Sequence, residues 1–360
     1  MDDATSTDRR QFLQGAAAAG AAASLSAIAP LARAVTTSQP FRRPPTFYGV
    51  NIDAPYPDNH LAEYPHLIKA LTDAGVGTVR TSIAWRYVEA TKGTKLWAPT
   101  DKFFATLPEK FEVLMLMLST PAWASGVDPA KCVGWFDTYM PRNYDDWGNF
   151  FYESVKRYRN RVKYWEVWNE ENGIDFFHPK PDATAYVKLL KTAYAAAKKA
   201  DPNCQIVLGG LQMNGVMTWS PERSTPNFLE AIYKAGGGPF FDICNIHPYV
   251  GKDQGAPYLM ALTGDTRKVM AKYGDKDKPL WLTETGTATG HGTTAEDQAH
   301  LLATCYEAAA AYPGIDRVYW FTFRDAAQDV LGFESTMGIV TSTWKPKPAF
   351  EAFRKLATQS

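Results

Sequence analysis

Cysteine, histidine and net charge are all scarce in this chain, and each shortage excludes a class of function. The four cysteines, Cys132, Cys204, Cys244 and Cys305, show no metal-like pairing. Cys204 and Cys244 fall in predicted strands and Cys305 on a predicted helix, so buried thiols are expected rather than a disulfide framework. An exported location permits one bridge, which the sequence does not assign. The six histidines lack His-x-x-x-His or similar spacing, and no metal and no cofactor are expected. Basic and acidic residues balance at 38 each without a block of like charge, which argues against nucleic acid or an anionic surface as partner. No segment has the length and apolarity of a membrane span. A Gly-rich phosphate loop is also missing after the first predicted strand, so a nucleotide-binding sheet loses support.

At the N-terminus, Asp8-Arg9-Arg10-Gln11-Phe12-Leu13-Gln14 precedes a weakly apolar, alanine-rich stretch from Gly15 to Ala29. Ala32-Arg33-Ala34 then offers small residues around a cleavage point. The segment resembles a twin-arginine export signal, with Asp8 and Gln14 departing from the usual neighbours of that motif. Residues 1–34 are read as this signal and 35–360 as one mature domain, periplasmic or extracellular.

That domain reads as strand and helix in strict alternation. Predicted strands are Phe47–Ile52, Thr78–Ile83, Phe111–Leu118, Val162–Trp168, Cys204–Leu208, Phe241–Ile246, Leu280–Thr283 and Arg317–Thr322. Helical periodicity fills the intervals, with Asp182 as one cap and Thr294 and Asp297 as a capping box. Eight such units of short apolar strands predict an α/β fold, a single (β/α)8 TIM barrel, with an open doubly wound sheet as the alternative. In a barrel all strand C-terminal ends share one rim.

Two of those ends carry a carboxylate: Glu170, closing Trp165-Glu166-Val167-Trp168-Asn169-Glu170, and Glu284, within Leu280-Trp281-Leu282-Thr283-Glu284-Thr285-Gly286. Opposed carboxylates are what glycosidic bond cleavage needs, one to protonate the leaving oxygen and one to attack or activate water. The abundance of tryptophan and tyrosine, 11 and 18, suits both a large core and a groove that stacks sugars.

Arg80 on strand two, Asn169-Glu170 after strand four, His247-Pro248-Tyr249 after strand six, Glu284 and Trp320 resemble the active-site signature of clan A glycoside hydrolases. Thr120-Pro121-Ala122-Trp123-Ala124, Trp320-Phe321-Thr322-Phe323-Arg324-Asp325 and the Gly338–Phe350 tail are most similar to family 39-like members, with family 5 a near relative. The resemblance implies a retaining hydrolase of β-linked oligo- or polysaccharide, with Glu170 as acid/base and Glu284 as nucleophile. It further implies that Arg80 and Tyr249 keep Glu284 ionised, Asn169 holds the neighbouring sugar hydroxyl, His247 supports the pocket and Trp320 floors it. Trp85, Trp123 and Trp135 are candidate stacking platforms.

Some points stay open. Glu166 shares strand parity with Glu170 and is a rival, although its deeper position suits a buried partner to a basic residue. Strict alternation would point Asn169 away from Glu170, so the strand must end or bulge there. Relatives commonly have proline where this chain has Glu171, an extra carboxylate that would raise the pKa of Glu170 or bind a hydroxyl. A catalytically silent glycan-binding barrel and a clan member acting on an α-L-configured sugar acid or arabinofuranoside are the alternatives. The chain ends just after the eighth helix, which favours an open groove and internal cleavage. Oligomeric state is silent.

Overall fold

The computed structural model describes residues 43–55, 62–212, 220–290, 292–326 and 332–358. The N-terminal signal segment therefore lies outside the described residues. Eight parallel strands close into a barrel in sequence order: β1 (Tyr48–Asn51), β2 (Thr78–Ala84), β3 (Glu112–Leu118), β4 (Tyr164–Asn169), β5 (Gln205–Gln212), β6 (Cys244–His247), β7 (Leu280–Thr285) and β8 (Ile315–Trp320). Closure runs through Tyr48 opposite Val318 and Val50 opposite Trp320. Outside lie α1 (Tyr64–Asp73), α2 (Ala98–Thr106), α3 (Tyr144–Tyr158), α4 (Ala183–Ala200), α5 (Thr225–Lys234), α6 (Gly255–Lys272), α7 (Ala295–Ala311) and α8 (Pro348–Thr358). The TIM barrel expected from the alternation is the fold observed.

Local chemistry sets the helix starts. Asp182 accepts hydrogen bonds from the Thr184 and Ala185 amides and opens α4. Thr294 and Asp297 form the reciprocal capping box that opens α7.

Two apolar layers follow from strand alternation. Outward residues such as Val79, Met115, Trp165, Leu208 and Trp320 pack beneath the helices in one continuous core. Leu114, Val207, Ile243, Trp281 and Tyr319 point inward and plug the lumen. Gly49 makes room for that plug, because a Cβ there would stand 2.5 Å from the Tyr319 ring. Above the plug, toward the C-terminal strand ends, the lumen turns polar with buried Asn51, Arg80, Glu166, Asn245 and Thr283.

β5 runs four residues past its expected end at Leu208. Gly209-Gly210 reads as a turn in isolation, yet Leu211 and Gln212 pair with Ile246 and His247 of β6 and carry the strand to the rim. Cys204, Cys244 and Cys305 are buried free thiols, and Cys132 is free and half-buried.

Candidate active site

Arg80 organises the polar floor. Its Nε and Nη2 donate to Glu166 at 2.7 and 3.0 Å, and Nη2 also reaches Asn169 Oδ1 at 2.8 Å. Nη1 donates to Glu284 Oε1 at 2.6 Å and Asn51 Oδ1 at 2.8 Å. Glu166 further accepts from Asn245 Nδ2 at 2.9 Å and is fully buried. A carboxylate so enclosed and paired is a structural counter-ion, the role its depth suggested.

Glu284 meets Tyr249 on its other oxygen, the hydroxyl donating to Oε2 at 2.6 Å. A register shift between Leu282 and Thr285 on β7 places it at the rim. Glu170 directly follows the last residue of β4, Asn169, at the barrel mouth. Its Oε1 faces His247 Nδ1 at 2.8 Å, and its Oε2 accepts from Gln212 Nε2. His247 Nε2 is held against Thr283 Oγ1 at 3.0 Å, which fixes the ring between β7 and Glu170. Room for that ring comes from Gly210, where a Cβ would lie 1.9 Å from His247 Nε2.

The alternation conflict at Asn169-Glu170 is resolved by backbone twist. Trp168 and Glu170 both adopt left-handed φ, 72° and 49°, while pairing stays in step from Val167–Leu208 to Asn169–Gly210. Such values are unusual outside glycine and are held by surrounding contacts. Here the Glu170 amide donates to Gly210 O at 3.0 Å, and its carbonyl accepts from the Gly173 amide at 2.7 Å. Both Asn169 and Glu170 thereby reach the same mouth.

One oxygen of Glu170, one of Glu284 and a ring nitrogen of His247 all lie within 4.8 Å of one another. The spacing would suit a cation, but the fixed charge of Arg80 on Glu284 opposes one. It also fits two carboxyls cooperating on one bond. Their environments differ in the sense such chemistry requires. Burial pushes the Glu170 carboxyl above its ordinary range and the Glu284 charge adds to this, against the pull of His247 and Gln212. Burial also pushes Glu284 upward. There the charges of His247 and Arg80 and the Tyr249 hydroxyl outweigh it and hold the carboxyl below its ordinary range.

Three expectations are corrected. Trp320 is wholly enclosed, its indole N–H donating to Met337 O at 3.0 Å. Tyr319 takes the lumen side, so alternation turns Trp320 toward the helices, where it has no free face for a sugar. Phe321, one residue on, is the half-buried ring beside Tyr249, with centroids 6.4 Å apart. Trp85 is likewise fully buried. It begins a short helix, Trp85–Val88, and stacks on Phe150 of α3 at 5.4 Å. Glu171 points behind the strand, not into the mouth. It is fully buried, its carboxyl lies 2.2 Å from where a Gly209 Cβ would stand, and neither oxygen has a hydrogen-bond partner among the described residues. Trp123 is half-buried against Trp85, its N–H donating to Glu89 O at 2.7 Å.

Sequence reasoning missed Gln212, because β5 was read as ending at Leu208. It also missed Thr283 and, set singly among apolar strand neighbours, Asn51 and Asn245, whose isolation is the signal that would have found them.

Residues 115–358 match the sequence model of glycosyl hydrolases family 39, and residues 6–26 match that of the twin-arginine translocation signal. The signal indicates export across the cytoplasmic membrane. Among the described residues no helix is long and apolar enough to cross a membrane. A curated relative, the beta-xylosidase of Caldicellulosiruptor saccharolyticus, is 26% identical over 60% of this chain and 46% of its own. The chain thus spans about half the length of that relative. Among solved structures, a family 39 glycoside hydrolase from Bacteroides cellulosilyticus WH2 superposes with TM-score 0.68 and 24% identity, covering 89% of this chain and 65% of that one. GH5_18 from Streptomyces cattleya, in complex with GlcNAc, gives TM-score 0.69 and 15% identity over 88% of this chain and 80% of that one. At these identities the structural likeness shows the fold alone.

Proposed function

This chain belongs to glycosyl hydrolase family 39, and on that premise we propose that it is an exported, retaining hydrolase of β-linked glycosides. The observation that carries the reading is the approach of the Glu170 and Glu284 carboxyls to within 4.8 Å, one raised and one lowered in proton affinity. A separation near 5 Å leaves no room for an intervening water and suits direct attack.

In the first step an oxygen of ionised Glu284 bonds to the anomeric carbon as the bond to the leaving oxygen breaks, and Glu170 gives that oxygen its proton. The product is a glycosyl ester on Glu284. Esterification removes the Glu284 charge that had raised Glu170, so the proton affinity of Glu170 falls, it stays ionised after giving up its proton, and it stands ready as the base for water. In the second step Glu170 takes a proton from water, the water oxygen bonds to the anomeric carbon, and the ester bond breaks. Two inversions restore the original configuration.

The neighbouring groups fit those roles. Arg80 and Tyr249 donate to Glu284 at 2.6 Å each and keep it anionic until attack. Asn169 commits Oδ1 to Arg80, which turns its NH2 end to the sugar hydroxyl beside the anomeric carbon. Phe321, not Trp320, is the ring positioned to border the attacked sugar. Glu170 is oriented on both oxygens, Oε2 accepting from Gln212 Nε2 and Oε1 paired with His247 Nδ1.

The test is a panel of aryl β-glycosides, beginning with β-xyloside because of the name the curated relative carries, with α-L-arabinofuranoside and α-L-uronide controls. Anomeric configuration is followed by proton NMR from the first minutes. Retained product from a β-glycoside is expected. Inverted first product, or turnover confined to the α-L substrates, would overturn the reading.

A further inference from the structure

Every large hydrophobic side chain that stands exposed among the described residues belongs to one end of the barrel. Tyr87, Leu96, Val133, Trp135, Ile174 and Phe333 all lie between the C-terminal end of a strand and the next long helix. The two most exposed, Val133 at 77% and Trp135 at 58%, share the segment after β3, and Ile174 at 44% stands on the next one, after β4. Trp135 meets Phe176 edge to face, with centroids 6.3 Å apart. Scattered single apolar residues need no explanation, but a cluster confined to the rim beside the reacting groups does.

These rings are displayed on a rigid mount. Thr138 Oγ1 pairs with His178 Nδ1 at 2.7 Å, the His178 amide donates to Thr138 O at 3.0 Å, and the Tyr139 and His178 rings stack at 4.8 Å. Gly134 sits so close over the His178 ring that a Cβ would approach to 2.9 Å. The second segment is anchored in turn to β4, since Trp168 Nε1 donates to Phe176 O at 2.8 Å. That segment begins at Glu170 itself.

We infer that Val133, Trp135, Ile174 and Phe176 form a binding shelf for sugar rings on the leaving-group side of the scissile bond. The inference rests on the glycosidase reading above. The acid must stand beside the oxygen it protonates, so whatever leaves departs on the Glu170 side of the mouth. The chain after Glu170 leads directly onto the shelf. A pyranose presents a flat C–H face, which stacks on a fixed indole at small entropic loss because the indole is already oriented. The substrate class is therefore a β-linked oligo- or polysaccharide extending past the cleaved bond, and the enzyme holds its leaving portion as well as the attacked sugar.

The experiment compares two substrates that differ on that side alone. A panel of β-D-glycosyl fluorides loses only fluoride, whereas the matching β-linked trisaccharides must seat sugars on the shelf. For Trp135→Ala the ratio of kcat/KM on trisaccharide to kcat/KM on fluoride is expected to fall by about tenfold or more. Trp135→Phe should recover most of it. An unchanged ratio would overturn the shelf and leave the catalytic reading intact, as would a wild-type enzyme that consumes a fluoride but leaves the matching trisaccharide uncleaved. A wild-type enzyme inert to every fluoride would overturn the glycosidase reading and the shelf with it. If light scattering shows a wild-type dimer that Trp135→Ala dissociates, the face serves a second copy of the chain and the assignment to sugar fails.

Discussion

Arg80 and Glu284 are joined at 2.6 Å through a guanidinium nitrogen whose direction is set elsewhere, by the fork that Arg80 makes with Glu166. A lysine keeps the charge but not the fork. Arg80→Lys is therefore expected to lower kcat/KM by about 10²-fold or more, the scale of one removed electrostatic stabiliser. Because Arg80 lowers the proton affinity of Glu284, its loss should move the acidic limb of the rate profile to higher pH. Arg80→Met strands two buried carboxylates and should cost about 3–5 kcal/mol of stability, read by thermal melts.

The two glutamates predict opposite stereochemical rescue. Glu284→Gln and Glu170→Gln should each remove most turnover, about 10²- to 10⁴-fold for the proton-transfer group. With external azide, Glu284→Gly should give the glycosyl azide of inverted configuration, because azide replaces the nucleophile. Azide acting on Glu170→Ala should give the retained product, because it intercepts the ester. Proton NMR of the anomeric signals separates them, and full activity in either glutamine variant would refute the assignment.

His247 touches both carboxyls, at 2.8 Å to Glu170 and 3.5 Å to Glu284. It lowers the proton affinity of each. In His247→Ala both should rise, so the acidic and alkaline limbs of kcat/KM should shift to higher pH together. A profile that merely shrinks in height would assign the imidazole a packing role.

Glu171 should affect stability more than rate. Burial pushes its carboxyl well above the ordinary range, and the neighbouring Tyr186 hydroxyl is turned to Val167 O and the Gly209 amide. A carboxyl raised on folding holds its proton more tightly in the native state. Stability is then greatest below the unfolded value of about 4.3 and falls as pH climbs from there toward the native value. Glu171→Met should remove that decline and raise stability at pH 7 by about 1 kcal/mol or more, with the gap closing near pH 4. Melting temperature against pH is the measurement.

The barrel and the carboxyl pair were legible because both are written in local pattern. An apolar run of strand length ending in glutamate needs no partner to be seen. Trp320 and Trp85 were misplaced because a single residue of phase decides between lumen and helix layer, and only strand closure fixes that phase. Tyr319 claims the lumen, so Trp320 cannot. Gln212 was hidden by Gly209-Gly210, whose turn-like composition is overridden by pairing with β6. Glu171 was read as a partner of Glu170 or of a sugar hydroxyl from its chemistry alone, whereas its side chain faces Gly209 behind the strand.

Arg80, Glu166, Asn245 and Thr283, which set the charge of the reacting pair, are rooted in strands. Val133, Trp135, Ile174 and Phe176 stand on connecting segments that those strands do not need in order to pair. Exchanges at those four positions can therefore drift during divergence without re-tuning acidity at the barrel mouth. A lineage built this way changes its diet faster than its reaction.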